Sequence, residues 1–210
     1  MRACVRPVAV ILALAGMAAL AWVAVILVWG EPFTALKTAR AQAALRGELA
    51  RQNDTWRLNA RPNSPLNIPK RAAAFHDELR PGDALGRIVV PRLGLSTVVV
   101  EGTAGADLAR GPGHYRNTAL PGAGRTVAIA GHRTTYLQPF RHIDDLRPGD
   151  EISLEMPYGT FGYIVYARAI VDDQDWSILR RRPFEKLVLS ACHPLYSASR
   201  RIVVFARLRR

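Results

Sequence analysis

The stretch LVLSACHPLYSASRRIVVFARL, residues 187–208, contains one cysteine between two runs of strand-forming residues. Cys192 follows the apolar run Leu187–Leu189, and Arg201 opens the β-branched run Ile202–Val204. Short aliphatic and β-branched runs bounded by polar turn residues are typical of buried strands. We therefore predict that Cys192 ends one strand and that Arg201 begins the next.

The same strand-like pattern recurs along the second half of the chain, with Pro-Gly and other turn signals between the segments. Many short strands at regular spacing indicate a barrel or sandwich. Short helices are predicted at 103–111 and 136–146. The fold class is mostly β, most simply a closed small barrel over 85–210. The predicted strands cover 86–92, 96–102, 126–132, 150–156, 162–171, 186–192 and 201–208.

The N-terminal part contains a long uncharged segment. Residues 8–29 carry no charged side chain, and a helix of that length crosses a hydrocarbon core of roughly 30 Å. The positive-inside rule, applied to the arginines in the stub 1–7, puts the N-terminus in the cytoplasm and residues 85–210 outside. A cleaved signal peptide competes, but the run is long for a signal core and ends in Val-Trp. We predict an uncleaved single-pass anchor in the plasma membrane.

Two segments connect the predicted span to the domain. Residues 30–60 are rich in Ala, Leu, Arg and Glu, which favours a helical stalk rising from the bilayer. Residues 61–84 contain four prolines among polar residues, so we predict a linker with one short helical turn.

The chain is basic, with 29 Lys and Arg against 17 Asp and Glu and a formal net charge of +12. No basic run carries interleaved aromatic residues, so we expect no nucleic-acid partner. A membrane or another anionic envelope surface is the better partner for an outward-facing domain. Solvated surface arginines are the alternative, and the composition does not decide between the two.

Cys4 and Cys192 are the two cysteines of the chain. The predicted span separates them, so they cannot form a disulfide. Exposed thiols oxidise outside the cytoplasm and are usually paired or absent there. Cys192 is therefore a candidate nucleophile, although a small buried hydrophobic role is the competing interpretation.

Histidine and arginine can activate a thiol and stabilise the oxyanion that forms when it attacks an amide. His132 ends a predicted strand after Gly131, whose missing side chain would leave room for a substrate. His193 adjoins Cys192 but lies on the opposite strand face. No zinc-ligand spacing occurs, so neither a metal nor a cofactor is expected. The remaining histidines are predicted at the surface: His76, His114 and His142.

Arg201 has the geometry for the oxyanion role. Alternation along its strand places Arg201, Val203 and Phe205 on one face and Arg200 on the other. A guanidinium near the thiol would hold a developing oxyanion and favour the thiolate. A solvated arginine at the barrel mouth is the alternative.

These residues, in this order and spacing, resemble the signature of the sortases. The segments GPGHYRNTALPG and AGHRTTYLQPF resemble those of class E, with class D as the near alternative. The resemblance implies an eight-stranded barrel with His132, Cys192 and Arg201 as catalytic residues. Arg201 is preferred to Arg200 because Ala206 matches an alanine five residues after the family's arginine. The usual threonine before the cysteine is replaced by Ala191, which puts substrate preference in question.

The resemblance also implies a reaction and its partners. Cys192 would cleave an LAxTG- or LPxTG-like signal of a secreted protein between Thr and Gly. The thioacyl-enzyme would pass the protein to an amine of a lipid-linked peptidoglycan precursor. Gly131, Ala191 and His193 are predicted to contact the substrate.

Three other functions compete with this interpretation. A pilin-polymerising sortase and a non-catalytic envelope-binding β module remain open. An L,D-transpeptidase would need a compact His-Gly-Cys segment, which is absent from this sequence.

Overall fold

The computed structural model describes residues 5–29, 32–58 and 67–209, with side chains described for 7–25, 34–56 and 67–209. Cys4 and the first part of the predicted linker lie outside these ranges. The helices are α1 Val5–Trp29, α2 Pro32–Leu58, α3 Ile68–Glu78 and α4 Gly105–Leu108. The strands are β1 Ala84–Val90, β2 Leu95–Glu101, β3 Gly113–His114, β4 Val127–Ala130, β5 Glu151–Met156, β6 Gly159–Asp172, β7 Lys186–His193 and β8 Arg200–Leu208.

The eight strands form a closed barrel in the order β1-β2-β3-β4-β7-β8-β6-β5. Neighbouring strands are antiparallel except for the parallel pairs β2–β3 and β4–β7. The eight-stranded barrel is confirmed, and each of the seven strand segments predicted from the sequence is present. The additional strand, β3, has two residues, too few for any periodicity to predict.

Alternation along β7 and β8 separates the barrel interior from an outer layer. Leu187, Leu189 and Ala191 point into the main core, and so do alternate residues of β8. Val188 and Val203 lie in a smaller cluster on the outer face. Because β7 is buried on both faces, its sequence is a continuous apolar run rather than an alternating one. The same alternation fixes which side chains at the strand ends point outward.

Helix α1 contains the predicted membrane segment. Its stretch Pro7–Val25 has a mean hydropathy of 2.5, and no part of it is buried against the rest of the chain. By length and composition α1 can cross a bilayer. A signal sequence would have the same properties.

Helix α2 is the predicted stalk, and it packs against the barrel instead of rising freely. Leu45 and Leu49 are buried among Ala84, Val98 and Val100 of β1 and β2. An apolar face at i, i+4 spacing meets the outer surface of the barrel. The sequence pattern predicted the helix but not its partner.

Helix α3 occupies part of the predicted linker. The Asn67 side chain caps it by accepting a hydrogen bond from the Lys70 backbone amide at 3.1 Å, and Pro69 stands in its first turn, where proline is tolerated. Ala72 and Phe75 pack into the barrel core. This segment therefore contributes more structure than the single helical turn predicted.

The helix predicted at 136–146 is wrong. Residues Tyr136, Leu137 and Gln138 have left-handed backbone angles, with φ of 54°, 62° and 50°, and Pro139 has no amide hydrogen to donate. Only the 3-10 turn Ile143–Asp145 remains. In the other predicted helix, at 103–111, the helical part is limited to α4.

Candidate active site

Cys192 and Arg201 are cross-strand neighbours at one end of the barrel. They pair directly in the β7–β8 ladder. Ala191 and Ile202 point into the core, so Cys192 and Arg201 both point outward. Side chains that pair in this way have Cβ atoms about 5 Å apart. The structure thus brings together two of the three residues predicted to be catalytic.

His132 joins this pair through the parallel ladder of β4 and β7. Ala130 is the last paired residue of β4 and lies opposite Ser190. Beyond it, the Gly131 amide donates to the Ser190 carbonyl at 3.0 Å. Extended by two residues from the Ala130–Ser190 pair, the same register places His132 beside Cys192. Three adjacent strands therefore contribute His132, Cys192 and Arg201 at one level.

The His132 ring is half-buried and lacks a hydrogen bond at one nitrogen. Within the described part of the chain, no group accepts from or donates to its buried Nε2. The Tyr136 ring packs against it, with centroids 4.9 Å apart. Burial lowers the pKa of His132 from its usual value of 6.5. Burial therefore favours the neutral form of the ring.

The space above Gly131 is filled by an aromatic ring. A Cβ at this position would lie 2.5 Å from the Phe140 ring. The Phe140 amide donates to the His132 carbonyl at 3.0 Å, which folds the loop back over the strand end. Glycine is required here for close packing of Phe140. The prediction that the missing side chain of Gly131 leaves room for a substrate is therefore wrong, because the Phe140 ring occupies that space.

Arg133 is a buried cation that the sequence analysis did not select. Its Nε and Nη2 donate to the Arg141 carbonyl at 3.2 and 3.1 Å, and Nη2 donates to Asp144 Oδ1 at 2.7 Å. Its Nη1 lies 3.5 Å from the Cys192 carbonyl. Arg133 thus ties the loop after His132 to the end of β7. The one indication in the sequence that Arg133 belongs to the site was its position directly after His132.

The two neighbouring arginines differ in orientation. Arg201 donates from Nη1 to the carbonyls of Ala198 and Arg200 at 2.8 and 3.0 Å. Arg200 is exposed, and its Nε lies 3.7 Å from Asp172. Only Arg201 shares the strand face of Cys192. The geometry therefore favours Arg201 over Arg200 for contact with anything bound at the thiol.

The two residues beside Cys192 in the chain point away from it. The Ala191 methyl group is buried in the core, so the Ala191 side chain cannot touch a ligand on the outer face. His193 lies opposite Arg200 in the ladder, and its Nδ1 is 3.4 Å from Arg133 Nη1. The structure therefore leaves Ala191 only its backbone for substrate contact and connects His193 to Arg133.

A buried apolar cluster lies on the outer face of β4, β7 and β8, the same sheet face as Cys192. Tyr115 packs there, and its hydroxyl is 3.0 Å from Ser190 Oγ. The Trp176 ring stands edge-on to Tyr115, with centroids 6.5 Å apart. This outer-face cluster consists of Ala128, Val188 and Val203, with Tyr115, Val171, Ile178, Leu179 and Phe205 packed against it.

His114 is buried, so its predicted surface position is wrong. Its Nδ1 lies 2.7 Å from Glu101 Oε2, and its Nε2 lies 3.0 Å from Thr118 Oγ1 and 3.1 Å from the Ala119 carbonyl. Strand β3 pairs with both β2 and β4, which encloses the ring. His142 is exposed, as predicted, and His76 is half-buried against His114.

Comparison with known proteins identifies the family. The family model described as Sortase domain matches residues 88–209. The chain is 32% identical to Sortase D of Bacillus subtilis (strain 168) over 142 residues, 66% of this chain and 69% of that protein. It is 27% identical to Sortase SrtE1 of Streptomyces coelicolor over 182 residues, 73% of this chain and 50% of that protein.

A solved structure agrees with both sequence matches. The structure of a Clostridium perfringens Sortase D5 transpeptidase superposes with a TM-score of 0.65 and 25% identity, covering 81% of this chain and 99% of that one. The matched proteins include class D and class E enzymes, so the subclass is not resolved between these two. The chain belongs to the sortase family of transpeptidases.

Proposed function

We propose that this protein is a membrane-anchored cysteine transpeptidase that joins secreted proteins to a cell-wall amine. The observation that carries the proposal is the pairing of Cys192 with Arg201 on adjacent strands, with His132 just beyond the end of the neighbouring β4 and its Nε2 without a partner among the described residues. Family membership supports the same reaction class. Arg201 is positively charged, and His132 can both take up and release a proton.

In the first half-reaction Cys192 attacks the carbonyl carbon of Thr in an LAxTG- or LPxTG-like signal. The sulfur–carbon bond forms while His132 holds the thiol proton, and Arg201 stabilises the negative oxygen of the tetrahedral intermediate. The carbon–nitrogen bond to Gly then breaks. His132 gives its proton to the departing amine, which leaves a thioacyl-enzyme and a new amino terminus.

In the second half-reaction an amine of a lipid-linked peptidoglycan precursor attacks the thioacyl carbon. His132 removes a proton from the attacking nitrogen, Arg201 again stabilises the oxyanion, and the carbon–sulfur bond breaks. The thiol regains its proton and a new amide remains. One acid–base group therefore serves both halves.

The outer-face cluster is the proposed seat for the signal peptide. Its centre is buried, so the peptide would lie on the partly exposed side chains that cover it, including Tyr115, Ile178 and Leu179. Leucine and alanine or proline side chains of the signal would pack on the apolar part. Trp176, which is exposed, stands at the edge of this surface.

The proposed location is the outer face of the plasma membrane. Helix α1 would span the bilayer with its N-terminus in the cytoplasm, following the positive-inside rule. Anchoring would hold the enzyme among membrane-held substrates and raise their effective concentration.

The test uses the full chain in phospholipid nanodiscs and its Cys192→Ala variant. Each is incubated with LAxTG and LPxTG peptides and with glycine or diaminopimelate amides, and products are identified by mass spectrometry. We expect cleavage between Thr and Gly, a ligated product, and a thioacyl adduct on Cys192. All three should disappear in Cys192→Ala.

A small thiosulfonate distinguishes this proposal from a non-catalytic envelope-binding module. The half-exposed Cys192 thiol should react, and the modified protein should lose activity. Normal cleavage by Cys192→Ala, or by the modified protein, would disprove the proposed mechanism.

A further inference from the structure

Helix α2 lies along the barrel in a defined direction. Near its start, Thr38 Oγ1 donates to the Ala109 carbonyl at 2.8 Å. One turn later Gln42 Nε2 donates to the Val98 carbonyl at 3.0 Å. Further on, Glu48 Oε1 accepts from the Ala84 amide at 2.8 Å. Ala84 pairs with Val100, later in β2, so α2 runs in the same direction as β2.

The end of the barrel at which β2 begins is also the end that carries the candidate active site. Strand β3 is parallel to β2 and antiparallel to β4, with Gly113 opposite both Val100 and Ala130. Strand β4 therefore ends, near His132, where β2 starts. The 3-10 turn Pro91–Leu93 before β2 also contacts the turn Ile143–Asp145 in the loop after His132.

The start of α2 is therefore at the catalytic end of the barrel. Trp29, the last residue of α1, precedes Pro32 by three positions, and Pro32–Thr38 is helical. The step from Trp29 to Pro32 spans at most about 3.8 Å per residue, and the helix from Pro32 to Thr38 rises about 1.5 Å per residue. Thr38 therefore lies within about 20 Å of the end of α1. The catalytic end is closer to the span than the opposite end of the barrel.

The segments at this end have the composition of a membrane-binding surface. Apart from the buried Arg133, residues 32–47, 91–97, 131–143 and 193–201 contain seven Lys and Arg and no Asp or Glu. Acidic residues at this end are Asp144, Asp145, those in the 172–175 turn beside β8, and Asp150 and Glu151 where β5 begins. Basic and aromatic residues with exposed leucines favour contact with anionic lipid headgroups.

The two loops that flank Cys192 expose large apolar side chains. Leu137 is 50% exposed, Leu195 38% and Tyr196 69%. Arg141 Nη2 lies 3.5 Å from the Tyr196 hydroxyl and connects the two loops. Exposed apolar groups beside cations at a single rim are typical of an interfacial contact.

We propose that the catalytic end of the barrel rests on the outer leaflet of an anionic membrane, with the loops 133–142 and 193–199 in the headgroup region. The proposal rests on the proposed function in requiring α1 to span the bilayer. Its consequence is a preference set by the distance of the reacting bond from the bilayer. The enzyme would act on peptide bonds and amines held close to the bilayer surface, in preference to those of freely diffusing molecules.

Depth measurement by spin labelling tests this orientation. Single cysteines replace Leu137, Tyr196, Leu14 in α1, or the exposed Thr160 at the opposite end of the barrel, in a full chain that carries Cys4→Ser and Cys192→Ala. Each protein is labelled with a nitroxide and placed in nanodiscs of phosphatidylglycerol and phosphatidylcholine. Accessibility to oxygen and to a soluble nickel chelate gives the depth of the label.

Labels at 137 and 196 should favour oxygen over the nickel chelate, and the label at 160 should favour the chelate. The orientation would be overturned, with the anchor intact, if the label at 14 favoured oxygen while the labels at 137 and 196 were as accessible to the chelate as the label at 160. A label at 14 that favoured the nickel chelate would overturn both the membrane anchor and the orientation.

Kinetics with two forms of one peptide give a second test. Tyr196→Asp suits the left-handed backbone at this position, φ 65°, and Thr160→Asp is the matched control. On a lipid-tethered peptide in anionic vesicles, kcat/KM should fall about tenfold in Tyr196→Asp only. On the free peptide both variants should match the unmodified chain. Equal losses on the two peptides would assign Tyr196 to peptide binding and overturn the membrane contact.

Discussion

The two histidines 132 and 114 show opposite uses of a partly or fully buried imidazole. His114 is 0% exposed and has partners at both ring nitrogens. His132 is half-buried, and its Nε2 is without a partner among the described residues. An unpaired buried polar atom costs free energy, so it persists where another role compensates. The hydrogen bonds of the paired ring connect three parts of the barrel, and the unpaired ring is the one to which we assign the proposed acid–base role.

Substitution of the unpaired histidine should give the largest effect on activity. His132→Gln should reduce kcat/KM about 10²- to 10⁴-fold, because the acid–base group is lost. The unfolding temperature should change little, since no hydrogen bond to the ring is removed and the lost Tyr136 ring contact is offset by removal of the unpaired Nε2. Mass-spectrometric product assays and thermal unfolding measure the two quantities. A variant that retains full activity would remove the basis of the comparison.

The neighbouring arginines 200 and 201 provide a second comparison, on the strand next to Cys192. Arg201→Gln should lower kcat about 10²- to 10³-fold through loss of oxyanion stabilisation. Arg200→Gln, on the opposite strand face, should change kcat little. Single-turnover formation of the thioacyl-enzyme separates the two variants. The reverse order of effects would transfer the proposed role to Arg200.

Substitution of the paired histidine should affect stability and leave chemistry intact. His114→Leu leaves the buried Glu101 carboxylate without its 2.7 Å partner, which should lower the free energy of unfolding by about 1–3 kcal/mol. Activity per folded molecule should be preserved. Chemical denaturation and active-site titration test this. If the variant does not fold, His114→Gln, whose side-chain amide can still donate a hydrogen bond, provides the same comparison with a smaller loss.

The pH dependence of stability should give the smallest effect. Burial lowers the pKa of His132 below 6.5, so the unfolded chain binds a proton more readily than the native one. Stability is complete above pH 6.5 and declines as the pH falls toward the native pKa. The decline should be weaker in His132→Gln. Denaturation of both proteins at pH 8 and pH 5 measures this, and identical slopes would contradict it.

Alternation in the sequence was enough to predict most of the barrel strands and the two site residues on β7 and β8. It gave the ends of β7 and β8, and therefore the opposition of Cys192 and Arg201. It also implies that the Ala191 side chain points inward, which is incompatible with the predicted side-chain contact between Ala191 and substrate. Periodicity is local, and these results depend only on residues close together in the chain.

The features that the sequence did not predict depend on how loops and short strands fold back onto other parts of the barrel. His114 is buried because the two-residue strand β3 is enclosed by β2 and β4. Gly131 is required by Phe140, nine positions later, because the loop folds back. Arg133 joins the loop to the end of β7. Neither spacing nor composition encodes these contacts.

The side-chain amide of Gln42 has a practical consequence for work with fragments of this protein. It occupies both backbone groups of Val98, because its Oε1 accepts from the Val98 amide at 2.9 Å and its Nε2 donates to the Val98 carbonyl. A fragment that starts after α2 would expose this β2 edge to strands of other molecules, a known route to aggregation. A soluble fragment should therefore begin before Thr38, so that the helix protects the edge.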